Sequence, residues 1–242
     1  MHSPERGVKP KTTVTRWTAF VYKESMPTSR RLVSLSIATV AALCVACSFS
    51  AQRATTPLFN GKNLEGWQHV GPGSFIVEGG TLKTEGGMGL LWFTDEKIGR
   101  AKLQVVFKLT GKGSDSGVFI RIPEKPTEPW MPVNRGYEVE IGDWPNDYSC
   151  TGVLYTFTKA LARPIKPLGE WNTLEITLDG PHTVVFLNGV KVTDFKEGDP
   201  VPPKPTGSID PDRGPRQDTG YAGLQNHPGD PVYFKEVSLT PL

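Results

Sequence analysis

The sequence predicts an all-β protein in which two sheets pack face to face. Its 26 Gly and 22 Pro separate short runs rich in Val, Ile, Leu, Phe and Thr, and such alternation of strand and turn formers is typical of β domains. Patterns with a helical period are scarce. More than ten such runs follow one another without an evident domain boundary, which favours a single two-sheet sandwich domain.

Two hairpins give the strongest local signals. The segment FIVEGGTLKTE turns at Gly79-Gly80, and VVFLNGVKVTDF turns at Asn188-Gly189, a dipeptide that suits the positive φ angles of a type I′ turn. Further strands are predicted at residues 101–109, 117–122, 137–141, 152–155, 171–178, 220–225 and 232–239. Connections longer than about 12 residues are usually functional or disordered, and three are expected here, at residues 123–135, 156–170 and 196–219.

The net charge of +2 comes from the N-terminus alone. Residues 1–47 contain seven Lys or Arg and two Asp or Glu, which leaves 20 basic and 23 acidic residues in the rest of the chain. That remainder is slightly acidic and has no basic patch interleaved with aromatic residues. The charge pattern therefore argues against nucleic acid as a partner.

Residues 26–50 have the pattern of an export signal. Arg30 and Arg31 precede an apolar run over residues 32–47, and small residues follow. The run is too short to span a bilayer comfortably. We therefore expect residues 1–25 to be a spurious extension upstream of the true start, residues 51–56 to be a spacer, and residues 57–242 to be the exported domain.

Cys47 is the candidate for lipidation. It follows Val45 and Ala46 at the end of the apolar run, where bacterial lipoproteins are cleaved and acylated; ordinary cleavage after Ser48 or Ser50 is the alternative. The protein is accordingly expected to be a periplasmic or cell-envelope lipoprotein, attached to a membrane only through Cys47, or else to be secreted. Only one cysteine, Cys150, lies beyond the leader, so a disulfide scaffold is excluded.

The segment RGYEVEI carries the first candidate site residues. Side chains alternate along a strand, so Glu138 and Glu140 share one face. Alternating glutamates on a wet strand face are common, but the same parity argument gives Arg121, Gln225 and His227 to the face opposite the core. If these strands belong to one sheet, two carboxylates, a guanidinium, an amide and an imidazole meet on one surface.

Aromatic residues near these strands indicate the ligand class. Trp130, Trp144 and Tyr155 could offer flat apolar surfaces beside the polar groups, a combination suited to sugars, which stack on rings and bond through hydroxyls. Asp143 is a further candidate for substrate contact, and Asp143 and Asp230 are candidates, with His227, for binding a divalent cation. No spaced metal motif is present, so no tight metal site and no firm cofactor are expected.

Six motifs in order resemble one known family. They are LFNGKNLEGW, SGVFIR, GYEVEI, GEWNTLEI, FLNGVKV and GLQNHPGDPVYFKEVSL. Together they cover nearly all of the chain after the leader, and they resemble the 3-keto-disaccharide hydrolase family. The resemblance implies a concanavalin A-like jelly-roll sandwich, exported by bacteria, that acts on 3-keto-glycosides. The chain departs from the family pattern at Glu140, where Gln is common, and at Asn226, where Asp is common.

The implied reaction begins with removal of the C2 proton, which is acidic because C3 is a ketone, and continues with expulsion of the glycosidic oxygen and hydration. Such a reaction needs a base, a donor to the C3 oxygen and an acid. Glu138 or His227 would be the base, Arg121 and Gln225 would contact oxygen atoms, and Glu140 would donate a proton or bind a hydroxyl. A non-catalytic, lectin-like binding module and an ordinary two-carboxylate glycosidase remain the alternatives.

Overall fold

The computed structural model describes residues 53–242. The predicted leader, the predicted lipidation site at Cys47 and the proposed extension over residues 1–25 lie outside this range. Within it, no helix is long and apolar enough to cross a bilayer.

The fold is a sandwich of two antiparallel sheets, as predicted. The larger sheet contains, in spatial order, β11 (Val190–Lys196), β10 (His182–Leu187), β9 (Asn172–Asp179), β6 (Ala101–Leu109), β13 (Val232–Pro241), β4 (Thr81–Glu85) and β3 (Ser74–Glu78), with β1 (Thr56–Pro57) also paired to β13. The smaller sheet contains β2 (Trp67–Val70), β5 (Gly89–Phe93), β12 (Tyr221–Asn226), β7 (Asp115–Ile122) and β8 (Tyr137–Gly142). One short helix, α1 (Met131–Arg135), lies in the connection from β7 to β8.

The core lies between the sheets and follows the predicted alternation. The smaller sheet contributes Val118, Ile120, Val139, Ile141 and Leu224, all at most 2% exposed. Burial of such side chains stabilises the fold by roughly 1.5–3 kcal/mol each. Their neighbours in sequence therefore face the opposite, outer side of the smaller sheet.

The structure confirms both predicted hairpins but not every strand. Asn188 and Gly189 have φ angles of 50° and 80°, as a type I′ turn requires. The strand predicted at residues 152–155 is wrong: this segment is a turn with one bridge, between Leu154 and Val139. Left-handed backbone at Gly152 and Thr156 prevents it from continuing as a strand.

A second apolar cluster covers part of the smaller sheet's outer face. Met131 and Val133 of α1 are buried there. They pack with Leu90, Trp92, Phe119 and Ile122 from β5 and β7. The helix thus closes one end of this outer face, and the other end stays accessible.

Candidate active site

The uncovered part of the outer face holds a pocket of about 280 Å³. Seven of the nine residues predicted to act on or contact substrate line it: Glu138, Glu140, His227, Gln225, Trp130, Trp144 and Tyr155. Four further residues complete the lining: Asp115, Val133, Ser149 and Ile209. The glutamate face is therefore part of a concave site and is not an ordinary wet surface.

Strand register places the acidic groups next to one another. In the pairing of β7 with β8, Asp115 is opposite Gly142, Gly117 is opposite Glu140 and Phe119 is opposite Glu138. Because side chains alternate, Asp115 shares the outer face with both glutamates. The next strand, β12, adds Gln225, which pairs with Leu90 of β5.

Two glycines make room for the pocket's side chains. A Cβ at Gly117 would lie within 2.9 Å of Glu138 Cδ, and one at Gly142 within 3.0 Å of Trp144 Cε2. Both distances are shorter than packed carbon atoms tolerate. Glu138 therefore lies flat across β7, and the Trp144 ring lies across the end of β8.

Burial and mutual repulsion alter the acidity of the two glutamates. Glu138 and Glu140 are 6% and 4% exposed. Burial, and then the charge of Asp115, raise the pKa of Glu138 well above its ordinary value. Burial, Glu138 and Asp115 do the same to the pKa of Glu140, which a hydrogen bond from Trp144 lowers in part. The pair consequently keeps a proton at pH values where exposed glutamates have lost theirs.

Asp115 and His227 are in contact at the pocket wall. Asp115 Oδ2 lies 3.2 Å from His227 Nδ1, and the same nitrogen bonds to the carbonyl oxygen of Pro228 at 3.2 Å. Burial raises the pKa of Asp115, and the facing imidazole opposes that shift.

The turn after β8 brings Tyr155 to the pocket. Its backbone N–H donates to Glu138 O at 2.8 Å, and Gly152 N–H donates to Glu140 O at 2.9 Å. Burial, followed by the nearby Glu140, raises the pKa of Tyr155 to about 12. The phenol therefore stays protonated at neutral pH and can donate a hydrogen bond to a ligand.

Two residues at the end of β12 have different roles. Gln225 is 5% exposed, and its Oε1 is buried without a hydrogen-bond partner among the described residues. Asn226, by contrast, donates from its amide to Ser74 O and Glu85 O at 3.0 and 2.6 Å. Asn226 thus ties the smaller sheet to the β3–β4 hairpin and takes no part in the pocket.

The prediction that Arg121 shares the glutamate face is wrong. Arg121 has a φ of 57°, and the pairing of β12 with β7 shifts register beside it. This irregularity reverses the direction of the side chain. Arg121 is buried against the larger sheet, donating to Gly180 O at 2.7 Å and Thr183 Oγ1 at 3.0 Å, and it pairs with Asp218 at 3.5 Å.

Asp143 also lies outside the pocket. It is exposed beyond the end of β8, one residue out of step with Glu138, Glu140 and Gly142, so alternation turns it away from their face. Within residues 53–242, no three His, Cys, Asp or Glu side chains are placed to bind one metal ion. The divalent cation considered from the sequence therefore has no ready set of ligands in the described chain.

A two-sheet sandwich with a pocket of carboxyl groups and aromatic rings on one sheet is an arrangement suited to binding carbohydrates. The chain belongs to the family described as the 3-keto-alpha-glucoside-1,2-lyase-like domain, which matches residues 54–240. This confirms the family resemblance noted from the motifs.

Solved structures agree with this assignment. Two proteins of Parabacteroides distasonis, provisionally described as glycosyl hydrolases, share 25% and 27% identity with the chain at TM-scores of 0.63 and 0.62. The matches cover 78% of this chain and 94% and 100% of those chains. A protein of Bacillus subtilis with a galectin-like fold has the same fold as this chain at 11% identity and a TM-score of 0.54, over 78% of this chain and 94% of that one. No curated protein matches the chain.

Proposed function

We propose that the protein cleaves the glycosidic bond of 3-keto-glycosides by elimination across C1 and C2, followed by hydration. The observation that carries this proposal is the proton-holding pair Glu138 and Glu140, which lies in one pocket with the imidazole of His227. Family membership supports this substrate class. From the export signal expected at residues 26–50, we also propose that the protein acts in the periplasm or cell envelope, or in the medium.

The chemistry needs groups of the kind that line the pocket. A base takes the C2 proton, and the electron pair of the C2–H bond forms an enolate with its charge on the C3 oxygen. The enolate then expels the C1 oxygen, which takes a proton from an acid, and a C1=C2 double bond remains. Water adds its oxygen to C1 and a proton to C2 to give the free 3-keto sugar.

The acid role suits the glutamate pair. A carboxyl group that keeps its proton near neutral pH can protonate the departing oxygen. With Arg121 turned into the sandwich, we assign the Tyr155 hydroxyl and the Gln225 amide as donors to the C3 oxygen. Glu138 and His227 are the two candidates for the base.

Pocket size favours one sugar ring. Ligand pockets usually span about 300–1,000 Å³, so a volume of about 280 Å³ lies just below that range. We assign the ring with the ketone to the pocket and the aglycone to its mouth, beside Trp130.

The test compares release of p-nitrophenol from p-nitrophenyl 3-keto-α- and 3-keto-β-glucoside with release from the unoxidised glucosides. The wild type should cleave only the keto sugars, and Glu138→Gln should lose about 10²-fold or more in kcat. Glu175→Gln is the matched control, since Glu175 is a strand glutamate on the larger sheet, paired with Lys102. Sugar binding without any turnover would replace the enzyme with a lectin-like module, and cleavage of unoxidised glucosides would indicate an ordinary glycosidase.

A further inference from the structure

Asp115 is the pocket carboxyl group that the elimination described above does not use. It begins β7, and its side chain is only 22% exposed. Its Oδ2 lies 3.2 Å from Nδ1 of His227. The backbone carbonyl oxygen of Pro228 contacts the same nitrogen, also at 3.2 Å.

The Pro228 contact favours one tautomer of the ring. A carbonyl oxygen can only accept a hydrogen bond, so a hydrogen bond across this 3.2 Å contact forms only with the proton on Nδ1. A neutral imidazole has one N–H, and Nε2 is then an unprotonated lone pair available to a substrate in the pocket. This neutral tautomer is the form that a general base requires.

Asp115 contributes charge to the same nitrogen. When Nε2 takes a proton, the ring becomes a cation, and a carboxylate 3.2 Å from Nδ1 stabilises that cation. Asp115 differs from Glu138 and Glu140 because, among residues 53–242, it is the carboxyl group of this cluster that contacts His227. The negative charge of the three carboxyl groups is thus held most favourably at Asp115, which leaves the protons on the two glutamates.

We propose that Asp115 is a positioning residue that makes His227 the base of the reaction and leaves Glu138 and Glu140 as its acid. This inference rests on the proposed function. The C2–H bond breaks, its proton goes to Nε2, and its electron pair passes to the C3 oxygen. The C1–O bond breaks as a glutamate protonates the leaving oxygen. During hydration that glutamate takes a proton from water, whose oxygen bonds to C1, and the imidazolium returns its proton to C2.

The first measurement needs no substrate. Long-range ¹H–¹⁵N NMR spectra of the full chain labelled at histidine, with His227→Gln to assign the signal, report which ring nitrogen carries the proton. We expect Nδ1–H and an unprotonated Nε2 in the wild type. Because Pro228 holds the proton on Nδ1, Asp115→Asn should keep the same tautomer. A wild-type ring protonated on Nε2 would overturn the proposal.

The second measurement is kinetic. In Asp115→Asn, kcat on the 3-keto-glucoside should fall by about 10²-fold, the lower end of what a positioned base contributes, while KM stays within about 3-fold because the carboxylate acts on the transition state. Asp143→Asn, which changes an exposed carboxylate just beyond the site, should leave both constants unchanged.

The outcomes separate the two proposals. A wild type without activity on 3-keto sugars refutes the proposed function, whatever the tautomer. An active wild type whose Asp115→Asn variant keeps its kcat refutes the role of Asp115 alone. If Asp115→Asn fails to fold, Asp115→Ser and the wild-type tautomer still decide the question.

Discussion

Replacing Gly117 with alanine should separate catalysis from stability. A Cβ at this position would lie within 2.9 Å of Glu138 Cδ, so the glutamate side chain must leave its place across β7. Alanine restricts the unfolded chain and stabilises a strand position by about 0.5–1 kcal/mol. Overpacking costs about 1–3 kcal/mol. The net loss in the free energy of unfolding is then only about 1 kcal/mol.

Activity should respond far more strongly. Moving Glu138 removes one member of the proton-holding pair, and an acid or base contributes about 10²–10⁴-fold to the rate, so we expect kcat on the 3-keto-glucoside to fall about 10²-fold. The assays are p-nitrophenol release and urea denaturation. Gly87→Ala is the control, because its Cβ would meet Pro72 at an ordinary 3.6 Å. A folded Gly117→Ala protein with wild-type kcat would show that the position of Glu138 is irrelevant to the reaction.

Three further substitutions test the account of the site. Glu140→Gln should raise the melting temperature at pH 8 more than at pH 4. Burial raises the pKa of Glu140, so the folded state binds more protons than the unfolded state, and the stability of the wild type falls as pH rises above the ordinary carboxyl range. Equal shifts in melting temperature at both pH values would contradict this. Arg121→Met should lower the free energy of unfolding, measured in urea, by about 3 kcal/mol, because the hydrogen bonds to Gly180 and Thr183 are lost. A loss of kcat without destabilisation would instead indicate that Arg121 acts in the active site. Trp130→Ala should raise KM for an aryl 3-keto-glucoside about 5-fold with kcat unchanged, since an exposed ring at the pocket mouth contributes stacking of about 0.5–1.5 kcal/mol. An unchanged KM would show that Trp130 does not contact the aglycone.

Strand alternation was sufficient to predict where the fold is regular. The core positions Val118, Ile120, Val139 and Leu224 are buried as expected, and the same parity places Glu138, Glu140 and Gln225 on the outer face. Alternation failed at Arg121, because one left-handed residue and a register shift reverse the parity without a glycine to mark the change.

The missing elements of the site have physical reasons of their own. β5 was not predicted because Leu91 and Phe93 face the core while Leu90 and Trp92 face the second apolar cluster, so its sequence does not alternate. Asp115 could have been found by extending the parity of β7 two residues before Gly117. Ile209 reaches the pocket from the long 196–219 connection, and no local pattern predicts where such a segment folds back.

The closure of one end of the outer face by α1 has a consequence for polymers. With Met131 and Val133 packed over β5 and β7, a glycan cannot lie along the whole sheet and pass through the pocket. Under the proposed function, cleavage would therefore be confined to the ends of glycan chains, and a long glycan would shorten by single units without yielding mid-sized fragments.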